Sequence, residues 1–185
     1  MLEVRIRRAA AGDAADLARL GAATFTESFG HLYSPQDLRA FLADSHTAES
    51  YSRLLQSSST AVWLADVEER QAVAFATAGD CKLPVENLEP RAGEIHRVYV
   101  LAEFQKHRLG TQLLEIALAW LEEQKREPVY LGVWSKNEGA QRLYRRYGFE
   151  KVGEYGCPVG PQVDREFIFK RDGLGSRFRR DDRRR

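Results

Sequence analysis

The segment of this chain best equipped for chemistry is Glu94–Thr111, EIHRVYVLAEFQKHRLGT. Its pattern predicts a strand, a short loop and a helix whose first turn is QKHRLGT. A helix N-terminus leaves backbone N–H groups without internal partners and carries the positive end of the helix dipole. Gly110 lets a ligand approach the backbone, and Lys106, His107 and Arg108 add cationic side chains around the same point, so this turn suits a pyrophosphate. An ordinary strand–helix junction with a basic turn reads the same way, so the pattern alone is weak. Upstream, period-two alternation puts Glu94 and His96 on one face of the strand, where either could take up a proton. A surface glutamate and a satisfied histidine are the plain alternative.

Other elements must hold this segment in place. Leu2–Arg7 alternates apolar and polar residues as a strand does. Asp13 is placed to cap a helix running to about Phe29, with Leu17, Leu20, Ala22 and Ala23 at helical spacing. Ser34-Pro35 opens a short helix through Leu38, Phe41 and Leu42, and Thr47 starts another over Ser50–Leu55. Thr60–Asp66 and Gln71–Gly79 read as strands joined by the charged turn VEER, and Asp80–Pro90 as a loop. After Glu94–Leu101, the residues Leu109, Leu113, Leu114, Ala117, Trp120 and Leu121 trace one helix face. Pro128–Trp134 is a near-continuous apolar run, as in a strand covered on both sides. Glu138–Tyr147 reads as a helix closed by Gly148, and Glu150–Tyr155 and Val163–Lys170 as two last strands.

Composition narrows the function classes. The chain has 185 residues and a formal charge of +1, which fits one domain and gives no whole-chain reason to expect nucleic acid or a membrane surface. Its two cysteines, Cys81 and Cys157, form no C-x-x-C pair, so a reducing, cytoplasmic compartment is expected, with no metal. The start shows no signal-peptide pattern, and the longest apolar stretch, Ile116–Leu121, is too short to span a bilayer. The last fifteen residues hold seven arginines and three aspartates. The expected domain is therefore 1–170, followed by a solvated basic tail over 171–185.

Two motifs in residues 94–150 carry a family resemblance. The first runs from Gln105 to Gly110; the second, LGVWSKNEGAQRLYRRYGF, supplies Asn137, Ala140, Tyr144, Gly148 and Phe149. Together they resemble the acetyl-CoA motif Q/R-x-x-G-x-G/A and the N-x-x-A-x-x-x-Y-x-x-x-G-F pattern of the GCN5-related N-acetyltransferase (GNAT) family. TFTESFGHLYSPQDLRAFL, FQKHRLG and LGVWSKN are similar in wording to the PaiA-type polyamine N-acetyltransferases. One position departs from the pattern: the first motif glycine is Arg108, expected to be tolerated inside a helical turn.

The resemblance implies an α/β (α+β) fold with a mixed sheet of about seven strands flanked by helices. Splayed strands, Glu94–Val100 and Pro128–Trp134, would form an acyl-CoA cleft. It implies direct acetyl transfer from acetyl-CoA to an amine, a polyamine or other small amine first and a peptide or protein amino group second. A non-catalytic acyl-CoA sensor is the rival. Tyr144 takes the place of the family's general acid, and its phenol remains a donor at neutral pH. The cofactor-binding set implied is the backbone of Val98, Tyr99 and Val100, then Gln105, Lys106, His107, Arg108, Leu109, Gly110 and Thr111, with Asn137 and Tyr144. Asn137 also suits a helix N-cap. Glu94 and His96 are the candidate bases, although an amine can also shed its proton to solvent. Phe25, Phe29 and Tyr33 with Glu27 and Asp37 suggest an acidic-aromatic acceptor pocket, while amphipathic packing explains the same aromatics. Trp134 is expected in the core, and neither cysteine has the surroundings of an acyl carrier. Many members of the family pair as dimers; the sequence names no interface.

Overall fold

A computed structural model of the chain describes residues 4–68 and 71–173. Among these, seven strands form one sheet: β1 (Val4–Arg8), β2 (Thr60–Val67), β3 (Gln71–Asp80), β4 (Gly93–Val100), β5 (Val129–Trp134), β6 (Glu150–Val159) and β7 (Gln162–Arg171). Their order is β1-β2-β3-β4-β5-β7-β6, and neighbours run antiparallel except β4 and β5. The apolar runs at β2 and β3 are buried along nearly their whole length, as two-sided strands should be. The parallel β4–β5 step needs a crossover, which α4 (Leu109–Glu123) supplies.

Helices cover both faces. Val98 and Val100 point toward Gly110 of α4, whereas Tyr99, one residue out of phase, stacks toward His46. That second face carries α1 (Ala14–Phe29), α2 (Pro35–Ser45) and α3 (Ala48–Gln56). Leu17, Leu20, Leu113, Leu114, Ala117 and Leu121 are fully buried on these helices. No helix among the described residues is long and apolar enough to cross a membrane.

Several boundaries differ from the sequence reading, each for a physical reason. Asp13 precedes α1 but does not cap it, because its carboxylate is taken by the Arg7 guanidinium at 2.8 and 2.9 Å and by the Ala10 N–H at 2.7 Å. The β6–β7 hairpin is longer than expected. Gly156 and Pro158 look like breakers, but β6 is an edge strand, where a proline costs no ladder bond. The last strand, β7, ends at Arg171. Leu2 and Glu3, the tip of the VEER turn, and tail residues 174–185 lie outside the described residues.

One buried polar pair locks the helical face. His46 is 7% exposed, and its Nδ1 lies 2.9 Å from Tyr51 Oη. Burial, aided by Arg97, lowers the His46 pKa from its ordinary 6.5 to about 4. A histidine buried neutral stabilises the fold fully above its unfolded pKa, and that contribution is lost as pH falls from 6.5 through 4. The expected loss is about 3 kcal/mol at most. Urea titrations across this range should show the pH dependence reduced in His46→Gln; an unchanged slope would place the titration elsewhere.

Candidate active site

The site begins where two strands part. β4 and β5 pair only at Gly93–Val129, Glu94–Tyr130 and Ile95–Leu131. Beyond Ile95, β4 keeps its β3 partner and leaves its other edge open. The Leu101 N–H donates to the Val73 carbonyl at 3.0 Å, which fixes the alternation of the antiparallel ladder. The backbone groups of Tyr99 therefore face β3, and those of Val98 and Val100 face the opening. Of the three backbones expected to hold pantetheine, Tyr99 is thus committed to the sheet. Its side chain packs against His46 and Phe75.

The N-terminus of α4 adjoins this edge. Arg108 is the N-cap and offers no side-chain cap, so the backbone N–H groups of Leu109, Gly110 and Thr111 have no partner within the helix. The Leu109 side chain is buried in the core, leaving only its backbone for a ligand. Lys106, His107 and Arg108 are exposed around this end, and Gln105 Nε2 reaches the Val100 carbonyl at 3.4 Å. Gln105–Arg108 form a loop and not the helical turn the sequence suggested. Lys106 and Arg108 both adopt left-handed backbone, at φ 73° and 62°. Arg108 thus sits where glycine is favoured, at a cost of roughly 1 kcal/mol. Arg108→Gly is accordingly expected to raise the melting temperature by about 2–4 °C. A lower melting temperature would mean that contacts of the Arg108 side chain outweigh its backbone strain.

Tyr144 projects from α5 (Glu138–Arg146) and packs on Phe149 with ring centroids 6.0 Å apart. Burial, aided by Tyr99, raises its phenol pKa to about 12, so it stays protonated across the neutral range. Asn137 caps α5, its Oδ1 accepting from the Ala140 N–H at 3.1 Å. The Nδ2 donors remain for a ligand.

Glu94 and His96 do come together. His96 Nε2 lies 3.9 Å from Glu94 Oε2 and 2.9 Å from the Asp80 carbonyl. A carbonyl only accepts, so Nε2 carries the proton and Nδ1 keeps a free lone pair. Burial lowers the His96 pKa in spite of Glu94, which favours the neutral ring. Glu94 is buried and accepts from the Lys82 N–H at 2.7 Å.

The structure brings together some of the residues expected to line an acceptor pocket and not others. Phe25, Phe29 and Tyr33 gather: Phe25 lies 5.0 Å from Phe29 and 6.1 Å from Tyr33 between ring centroids. Trp134, expected in the core, instead meets Phe29 edge-on at 5.5 Å and extends this aromatic wall. Glu27 and Asp37 serve elsewhere. Glu27 accepts from the Ala102 N–H at 2.8 Å, and Asp37 meets the Ser34 cap of α2 at 2.6 Å. The carboxylates on this face come from β7. Asp164 accepts a short hydrogen bond from the Tyr33 hydroxyl, and Glu166 accepts from Tyr155 Oη at 2.7 Å. Strand alternation held the signal, since Tyr155 and Cys157 stand opposite Glu166 and Asp164 in register, but exposed hairpins carry charges for many reasons. Burial raises both cysteine thiols to about 11, leaving them protonated and poor nucleophiles at neutral pH.

A profile for the acetyltransferase (GNAT) family matches residues 23–149, which spans α1 to the end of the Tyr144 motif. The chain belongs to the GNAT family. It is an acetyl-CoA-dependent N-acetyltransferase. It is 27% identical over 176 residues to an uncharacterized N-acetyltransferase in the pepI 3′ region of Lactobacillus delbrueckii subsp. lactis, covering 92% of this chain and 98% of that one. Its fold is similar to PaiA N-acetyltransferase from Thermoplasma acidophilum in complex with coenzyme A. The TM-score is 0.74 at 15% identity, over 92% of this chain and 99% of that one. Arabidopsis thaliana NAA60, solved with a bisubstrate analogue, shares the fold at TM-score 0.69 and 16% identity, over 94% and 99% of the two chains.

Proposed function

We propose that this GNAT protein transfers acetyl directly to a primary amine, with a polyamine or other small amine as acceptor, in the cytoplasm. The observation that carries this reading is an unpaired β4 edge beside an uncapped α4 N-terminus, with Val98 and Val100 next to Gly110, in a chain whose Tyr144 phenol burial keeps protonated. The residues present fit acetyl-CoA, whose thioester supplies an activated acetyl group. Val98 and Val100 offer backbone donors and acceptors for the pantetheine amides. The N–H groups of Leu109, Gly110 and Thr111, with Gln105, Lys106, His107 and Arg108, offer a cradle for its phosphates. Asn137 Nδ2 adds a donor from the other wall.

For the chemistry, Tyr144 holds a proton at Oη, where a departing sulfur needs one. The incoming amine must be neutral to attack. His96 Nδ1, and the Glu94 carboxylate that lies 3.9 Å from the other ring nitrogen, are the groups that take its proton, directly or through water. The aromatic wall of Phe29, Tyr33 and Trp134 and the β7 carboxylates suit a cationic alkyl chain better than a bulky neutral acceptor.

Thiol release from acetyl-CoA should be measured against spermidine, spermine, short peptides, aminoglycosides and amino acids, with CoA binding followed by thermal shift. Release with the polyamines is the expected result. Release confined to peptides would replace the small-amine acceptor by a protein one, and a thermal shift with no release anywhere would favour an acyl-CoA sensor.

A further inference from the structure

We propose that Glu166, held by the Tyr155 phenol, is the carboxylate that selects acceptors carrying a second ammonium group. The inference rests on the acetyl-transfer reading above and adds a residue that sets its specificity. Gly132 is the first β5 residue beyond the last β4 pair, so it marks the point where the two strands open. On the helical face at that point Gly132 has no side chain. A Cβ there would lie 2.9 Å from Tyr155 Oη and 3.0 Å from Glu166 Oε2, which shows that both groups crowd this spot on β5. Trp134, two residues on and directly opposite Glu166 in the β5–β7 register, continues the same face.

Glu166 is half-buried, and burial raises its pKa although the Tyr155 hydrogen bond pulls the other way. Its charge also helps to raise the pKa of Tyr99. Among the described residues, no Lys, Arg or His lies within ion-pair distance of Glu166. A half-buried carboxylate with a neutral phenol as partner has uncompensated charge, and a ligand cation supplies the compensation.

The reacting nitrogen cannot be that cation, because it must be neutral when it attacks. A monoamine would therefore leave Glu166 without its ion pair at the moment of reaction. A diamine or polyamine reacts through one nitrogen and keeps the other charged, so the ion pair persists into the transition state. Glu166 consequently favours acceptors with two amines, and Tyr155 is the positioning residue that aims the carboxylate.

The test compares 1,4-diaminobutane with n-butylamine as acceptors. The wild-type protein should favour the diamine in kcat/KM by about 10- to 100-fold, the range of a charge-assisted hydrogen bond. In Glu166→Gln that preference should collapse to within about threefold, mostly through KM for the diamine. Glu166→Asp should keep a reduced preference, and Tyr155→Phe should lower it without abolishing turnover of the monoamine. A preference unchanged in Glu166→Gln, or absent from the wild type, would overturn the proposal. Calorimetric binding of spermidine to the CoA-loaded protein separates the two layers of argument. If no amine is acetylated yet spermidine binds and Glu166→Gln weakens it at least tenfold, acetyl transfer falls and the Glu166 subsite stands. If spermidine does not bind, the subsite falls.

Discussion

Tyr144→Phe is expected to lower kcat for amine acetylation by roughly 100-fold or more, the usual range for loss of a general acid. The affinity for CoA should change less than about threefold, because the ring that packs on Phe149 is retained. Burial pushes the Tyr144 phenol up to about 12, so its own titration should not appear in the pH–rate profile across the neutral range. What should appear is an acidic limb set by His96, and that limb should survive in Tyr144→Phe. Tyr99, whose charge acts on the Tyr144 phenol, is a second hydroxyl able to soften the loss. A Tyr99→Phe, Tyr144→Phe double variant should therefore be slower than Tyr144→Phe alone. Full activity in Tyr144→Phe would reduce Tyr144 to a packing aromatic.

Gly21→Ala should destabilise the fold by about 2–3 kcal/mol. On helix propensity alone the change would stabilise, by up to about 1 kcal/mol. Packing decides otherwise. A Cβ at Gly21 would lie 2.3 Å from His46 Nδ1 and 2.4 Å from Tyr51 Oη, the two atoms that hydrogen-bond to each other. Neither ring can retreat easily: Tyr51 is 1% exposed and meets Phe75 edge-on, and His46 is ringed by Phe25, Phe41 and Tyr99. The expected drop in melting temperature is about 5–10 °C. Tyr51→Phe, which removes one of the two clashing atoms, should recover part of it in the double variant. A Gly21→Ala protein as stable as the wild type would mean that the α1–α3 contact gives way more readily than its burial indicates.

The sequence exposed the parts of the fold whose physics is local. The apolar runs of β2, β3 and β5, the Ser34-Pro35 start of α2 and the Asn137 cap of α5 needed only neighbouring residues, and each appears where expected. Seven strands in one mixed sheet followed from the family resemblance and agree with the structure. What misled were residues with a stronger partner far away in sequence. Asp13 answers to Arg7, and Glu27 turns from the pocket to cap the chain after β4 at Ala102. Arg108 is a backbone matter: nothing in its neighbours told a left-handed N-cap from a first helical turn. Glu166 and Tyr155 were invisible as site residues because their meaning depends on the register of β6 with β7 and on Gly132 across the sheet.

The central claim is direct transfer from acetyl-CoA to an amine through the β4–β5 opening. A single-turnover mixture of protein, acetyl-CoA and spermidine tests it, with free CoA and acetylated spermidine quantified together by mass spectrometry and the mass of the intact protein recorded. Equal amounts of the two products and an unmodified protein are the expected result. Acetyl retained on Cys81 or Cys157, or CoA bound without any acetylated amine, would contradict it.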